Sequence, residues 1–209
     1  MFDTFPSLRS KMAVFNPWNM QRSDLARRVN SIQRKLLGAM LLIEQAEEYP
    51  RSVTMNVLDG VREMRVMDTY TDASMAQLHG ALDMLASALS TRHGLANRHG
   101  RPYSFGQMFA SSGRLDKKIA SSVSVNVTTK LEDLMASAKD LIDENNGAKH
   151  ATMEDVFLFP GDYPDFLKDL SAALQPEVST GRNVRDWLSD LRARTDDIGH
   201  KICNVVDTL

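Results

Sequence analysis

Between Arg92 and Lys118 the chain reads RHGLANRHGRPYSFGQMFASSGRLDKK, in which Arg92, Arg98, Arg101, Arg114, Lys117 and Lys118 stand against one acid, Asp116, with Tyr103, Phe105 and Phe109 interleaved. Cations attract phosphate, aromatic faces stack on bases, and glycine lets a backbone approach a ligand closely. The segment therefore has the composition of a nucleic-acid or phosphate-binding loop, with Arg92, Arg98, Arg101, Tyr103, Arg114, Lys117 and Lys118 as candidate contacts. A solvated or intersubunit loop anchored to a core by its aromatics would have the same composition.

Other residues capable of chemistry are less ordered in pattern. His79, His93, His99, His150 and His200 form no HExxH motif, and the lone Cys203 cannot form a CxxC pair. His200 and Cys203 are spaced to share a helical face, but two ligands do not make a zinc site. The tripeptide Arg-His-Gly occurs twice, at 92–94 and 98–100. It marks the nucleophile of histidine phosphatases, but there it follows the first strand of an α/β fold, whereas here it follows a predicted helix, so it carries no family assignment. A hydrolase centred on His93 and His99 would need both imidazoles in one pocket with an acid or nucleophile in reach. Acid pairs such as Glu47-Glu48 and Asp196-Asp197 read as solvated helix surface. No Walker loop, GxGxxG or GxSxG is present, and no cofactor or metal is implied.

These side chains must be positioned by helices. Leu25, Val29, Ile32, Leu36, Ala39, Ile43 and Ala46 recur at heptad spacing, as do Met75, Leu78, Leu82, Leu85 and Leu89, and Val184, Leu188, Leu191, Thr195, Ile198, Ile202, Val205 and Leu209. The first of these helices starts after Ser23 and stops at Pro50, and its run LLGAMLLI is apolar all round, which predicts a central position. Asp59-Gly60 between VTMNVL and VREMRV predicts a hairpin over 53–66, with a helix from Thr54 to Asp68 as the competing reading. Thr71 or Asp72 is the expected cap of the second long helix, and Gly94 suits a left-handed position at its end. Val123, Val125 and Val127 alternate with polar residues, which predicts a short strand, with a further helix opening at Thr128 or Thr129 and ending at Asn145-Asn146-Gly147. A short helix after Asp162 and a cap at Asn183 complete the expected order.

Residues 1–22 carry Phe2, Phe5, Phe15 and Trp18 among prolines and asparagines without a sustained period, which reads as an arm that docks on its own domain or on a neighbouring subunit. The rest, 23–209, reads as one mainly helical domain. With 25 basic and 27 acidic residues, the net charge of -2 gives no global pull toward nucleic acid or anionic membrane. The distribution is uneven, since residues 1–118 hold 16 basic and 11 acidic residues and residues 119–209 hold 9 and 16. Complementary halves, if kept apart, would attract copies head to tail. One cysteine suits a reducing compartment, and the first residues lack the basic start and apolar core of a signal peptide. A cytoplasmic protein, or one within a particle assembled there, is expected, with no membrane span.

The expected fold is a mainly α helical bundle of heptad-patterned helices with a small β-hairpin or three-stranded element, α+β being the alternative. The expected function is that of a non-enzymatic assembly subunit, and a virion or other large particle would suit this construction. Such a homo-oligomer would associate through Phe2, Phe5, Phe15, Trp18, Val184, Leu188, Leu191, Ile198, Ile202 and Val205. Nucleic-acid binding or packaging through 92–118 is the first alternative, and an unrecognised hydrolase the second.

Overall fold

A computed structural model describes residues 5–13, 24–48, 57–150 and 184–209. The helices in chain order are α1 (Pro6–Ala13), α2 (Asp24–Glu48), α3 (Val57–His93), the single turn α4 (Lys117–Ala120), α5 (Val125–His150) and α6 (Val184–Val206). A 3-10 turn at Gly106–Met108 lies in the long connection between α3 and α4. No described helix is long and apolar enough to cross a membrane.

α2 and α3 run antiparallel along their lengths. Ser74 Oγ donates to the Ala39 carbonyl, Lys35 lies over Gly80, and Arg28 reaches Ser87, so numbers rise on one helix as they fall on the other. α5 and α6 are antiparallel too, with Lys130 Nζ donating to the Asn204 carbonyl and Lys201 bridging Asp133 and Asp197 at 3.3 and 3.2 Å. Burial works against the charge on Lys201, but Asp197 and Asp133 outweigh it and hold the ammonium above its ordinary range. α3 and α6 each pack on the other three long helices, and successive long helices alternate in direction, which makes an up-down-up-down bundle.

The three seams read from the sequence all face this one core. Val29, Ile32, Leu36, Ala39 and Ile43 from α2, Leu78, Leu82, Leu85 and Leu89 from α3, and Leu191, Ile198, Ile202 and Val205 from α6 join a continuous buried cluster. The central helix is α3, not α2. Every residue from Leu85 to Ser90 is buried, because alanine and serine at 86, 87, 88 and 90 let neighbours close in on all sides. α2 instead leaves Leu37 and Leu41 exposed, at 37% and 40%.

Two predicted β elements are helical. Residues 57–66 continue α3, and Thr71 is a buried interior residue of that helix and not its cap. The Asp59-Gly60 turn signal is overridden because lengthening an existing helix adds a hydrogen bond per residue without a new nucleus, against about 1 kcal/mol for an interior glycine. Residues 53–56 lie outside the described residues. Val125 and Val127 belong to α5, whose cap is Ser124: its Oγ accepts from the Val127 amide at 3.3 Å, and Thr128 and Thr129 turn their hydroxyls back onto the Ser124 and Val125 carbonyls. Val123 and Val127 point to the core one turn apart while Val125 is 83% exposed, so the alternation was half of a helical period. Asn145-Asn146-Gly147 does not end α5, which runs to His150.

Within the arm, α1 docks on its own chain. Phe5, Leu8 and Met12, spaced three and four apart, are buried in the core cluster. The helix lies parallel to α6, with Ser7 Oγ and His200 Nε2 sharing a 2.8 Å hydrogen bond and Lys11 reaching Asn204. Gly199 permits this approach, since a Cβ there would meet Leu8 Cδ2 at 2.5 Å. Across α2, Arg9 donates twice to the Glu44 carboxylate at 2.7 and 2.9 Å, and Glu44 is only 4% exposed. Phe2, Phe15 and Trp18, the cap positions Ser23 and Asn183, and the helix expected after Asp162 lie outside the described residues.

Two outcomes follow from this packing. Arg9→Ala takes a bidentate partner from a buried carboxylate; because Arg9 is about one-third exposed, water replaces it in part, and chemical denaturation should register a loss of roughly 2–3 kcal/mol. Arg9→Met with Glu44→Met should recover most of that loss. Burial pushes the Cys203 thiol from an ordinary 9.0 up to about 12, with Lys11 pulling it down and Asp207 adding to the rise. Its contribution to stability is complete below about 9 and is lost as pH climbs toward 12, because the unfolded thiol ionises first. Lys201 acts in the same direction, so the steeper fall of melting temperature in wild type than in Cys203→Ala isolates the thiol.

Candidate nucleic-acid interface

The connection from Gly94 to Ser124 caps one end of the bundle, between the C-terminus of α3 and the N-terminus of α5. It starts as the sequence predicts: Gly94 takes φ +64° and the Leu95 amide donates to the Ser90 carbonyl, which closes α3 with a left-handed turn. Asn97 organises the next turn, its Oδ1 accepting from the His99 and Arg101 amides at 2.9 and 3.1 Å, with Gly100 at φ +71°. Arg98, His99 and Arg101 stand exposed on it.

The second half is held more deeply. Phe105, Met108, Leu115 and Ile119 are buried in the core cluster, and the Phe105 and Phe109 rings contact each other with centroids 5.0 Å apart. Three side chains on the long helices accept loop amides: Ser90 Oγ from Tyr103 at 3.2 Å, Asp83 Oδ1 from Phe105 at 2.9 Å, and Glu132 Oε1 from Leu115 at 3.1 Å. An antiparallel bridge between Phe109 and Leu115 closes a turn carrying Gly113 at φ +78° and Arg114. Asp116, the segment's single acid, caps α4 by accepting from the Lys118 amide at 2.9 Å.

All six cations of the segment, Arg92, Arg98, Arg101, Arg114, Lys117 and Lys118, are exposed. Among the described residues none of them forms an ion pair, and Arg98 Nε donates to His99 Nε2 at 3.1 Å. Tyr103 and Phe109 are partly buried against the core, whereas Phe105 is a fully buried anchor. The arrangement is a set of unneutralised cations on a backbone tied to two helices, suited to a polyanion more than to a single phosphate, because the Asn97, His99, Gly100 and Arg101 amides of the turn are already occupied.

The other candidates separate. His99 pairs with Arg98, and His93 has no hydrogen bond to a carboxylate among the described residues. His200 is engaged by Ser7 and lies 3.6 Å from Asp196, while Cys203 is buried. No described group of histidine, cysteine and acidic side chains could hold a metal ion. Of the residues expected between copies, Phe5, Leu188, Leu191, Ile198, Ile202 and Val205 are buried inside the chain, while Phe2, Phe15, Trp18 and the side chain of Val184 lie outside the described residues. The acidic half does not stand apart either, since α6 packs on α1 and α2 and Arg192 meets Glu47 at 3.7 Å.

Sequence reasoning missed Asp83, Ser90, Asn97 and Glu132, which hold the loop. Only Asn97, a turn-forming residue among glycines, left a local signal. Asp83→Ala removes the acceptor of the Phe105 amide and should speed hydrogen exchange there by about tenfold, as loss of roughly 1.4 kcal/mol requires, and lower the melting temperature by roughly 3–6 °C. Comparison with family models, curated proteins and solved structures finds no match for this chain.

Proposed function

We propose that this chain is a non-enzymatic subunit of a nucleoprotein assembly that binds nucleic acid through the loop from Arg92 to Lys118. One observation carries the reading: six exposed cations without an ion-pair partner among the described residues sit on a segment whose backbone is anchored by Phe105, Met108, Leu115 and Ile119. Surface cations that serve only solubility need no such anchorage, and a preformed cationic platform binds a polyanion with less ordering cost than a free tail.

A single strand fits better than a duplex. Nothing in the loop is a helix or ribbon long enough to enter a major groove, since α4 is one turn, whereas the aromatic residues Tyr103 and Phe109 are only partly buried and lie in the same segment as the cations. The bound strand would be read by charge and stacking, with little sequence preference. His99 is paired with Arg98 and not with a carboxylate, which favours binding over hydrolysis at this loop.

Fluorescence anisotropy with a labelled single-stranded oligonucleotide tests the proposal. Replacing Arg98, Arg101 and Lys117 together by Gln should weaken binding by at least about tenfold at moderate salt and lower the slope of log affinity against log salt by about 2. The melting temperature should hold, because all three side chains are exposed. An affinity unchanged by the triple exchange, or wild-type protein that binds no oligonucleotide at low salt, contradicts the reading.

A further inference from the structure

We propose that the outward face of α2 is a self-complementary interface with a second copy of this chain, two α2 helices packing antiparallel about Leu37 and Leu41 with Arg34 of each copy facing Glu48 of the other. The inference rests on the assembly half of the proposed function and supplies the contact that the buried seams cannot.

Leu37 and Leu41 lie one turn apart on the same helix face, and among the described residues they are the one adjacent pair of exposed large apolar side chains. The outward positions of α2 continue the pattern on either side as Asn30, Arg34, Leu37, Leu41, Gln45 and Glu48, a second stripe of threes and fours on the face opposite the core seam. It is apolar in the middle and carries opposite charges toward its two ends. Neither Arg34 nor Glu48 forms an ion pair among the described residues.

Orientation follows from charge. A parallel pair would set Arg34 beside Arg34 and Glu48 beside Glu48, whereas a two-fold axis between positions 37 and 41 brings Leu37 of one copy to Leu41 of the other and leaves Arg34 about 6 Å along the axis from the facing Glu48, within reach of two long side chains. A head-to-tail contact would need a different apolar patch for the leucines to meet, and the remaining large exposed apolar side chain among the described residues is the isolated Val125. The stripe therefore matches itself. Two leucines a side make a small interface, below about 1,200 Å² in total, so the dimer is weak and concentration-dependent.

Sedimentation velocity of the full chain tests this with two charge reversals. Wild type should pass from monomer to dimer as concentration rises toward about 0.5 mM. Arg34→Glu alone and Glu48→Arg alone should each stay monomeric, because each homodimer then opposes like charges. Their equimolar mixture should dimerise again, since both cross-pairs become opposite. Leu37→Glu should be monomeric with an unchanged far-ultraviolet circular dichroism spectrum. A wild type that stays monomeric, or a dimer indifferent to both reversals, overturns the proposal. Retained oligonucleotide binding by monomeric Arg34→Glu would separate this interface from the basic loop, whose failure would appear as lost binding with the dimer intact.

Discussion

The structure depends on one helix being surrounded. From Leu78 to Ser90, α3 is packed by α2, α5 and α6, and it can be because small side chains at Gly80, Ala81, Ala86, Ser87, Ala88 and Ser90 alternate with the leucines of its seam. A bulkier residue at Ala81, Ala86, Ser87, Ala88 or Ser90, all buried, would have to push a neighbouring helix outward, since cores are close-packed and take up added volume only by straining rotamers or backbone. The same helix supplies Asp83 and Ser90, which accept loop amides, so the packing that makes the core also sets where the basic segment leaves it.

Polar contacts then sort the outer helices around that centre. α1 is held by the Arg9–Glu44 pair and by the close approach of Leu8 to Gly199, and α5 and α6 are held by Lys201 between Asp133 and Asp197. Of these, the Glu44 contact is the most demanding, because a buried carboxylate tolerates neither the loss of its partner nor a shift in geometry. The exposed pairs, such as Asp24 with Arg27 and Arg28, contribute little by comparison. Among the described residues, the cationic set of the loop and the leucine pair on α2 are left outside these contacts, and binding and self-association are proposed on them.

Helices were legible in the sequence because burial imposes a period, and the seams at Leu36, Leu82 and Ile198 recur without interruption. The small β element was misread because its cues are local: Asp59-Gly60 and the alternating valines are turn and strand signals only when no long helix runs through them. Central position was misread for a related reason. Large apolar residues all round α2 suggested enclosure, yet enclosure falls to the helix with small residues, where partners can approach from every side. At the loop, the cations could be identified from composition, and so could the fact that aromatics anchor it, but which aromatic is anchor and which is surface depends on tertiary contacts that leave no local trace. The seam of α6 could not be assigned inside or between chains from spacing alone, since both arrangements use the same heptads.

Together these features describe a bundle whose described seams are buried within one chain and which carries, among its described residues, a cationic loop and a short apolar stripe at the surface. The nucleic acid strand is proposed to lie along the loop from Arg92 to Lys118, within the connection that joins α3 to α5. Hydrogen exchange followed by mass spectrometry, with and without a single-stranded oligonucleotide at low salt, tests it most directly. The account predicts slowed exchange in peptides spanning 94–124, with α2 and α6 unchanged apart from their ends beside the loop; protection elsewhere on the bundle with 94–124 unaffected, or none at all, would contradict it.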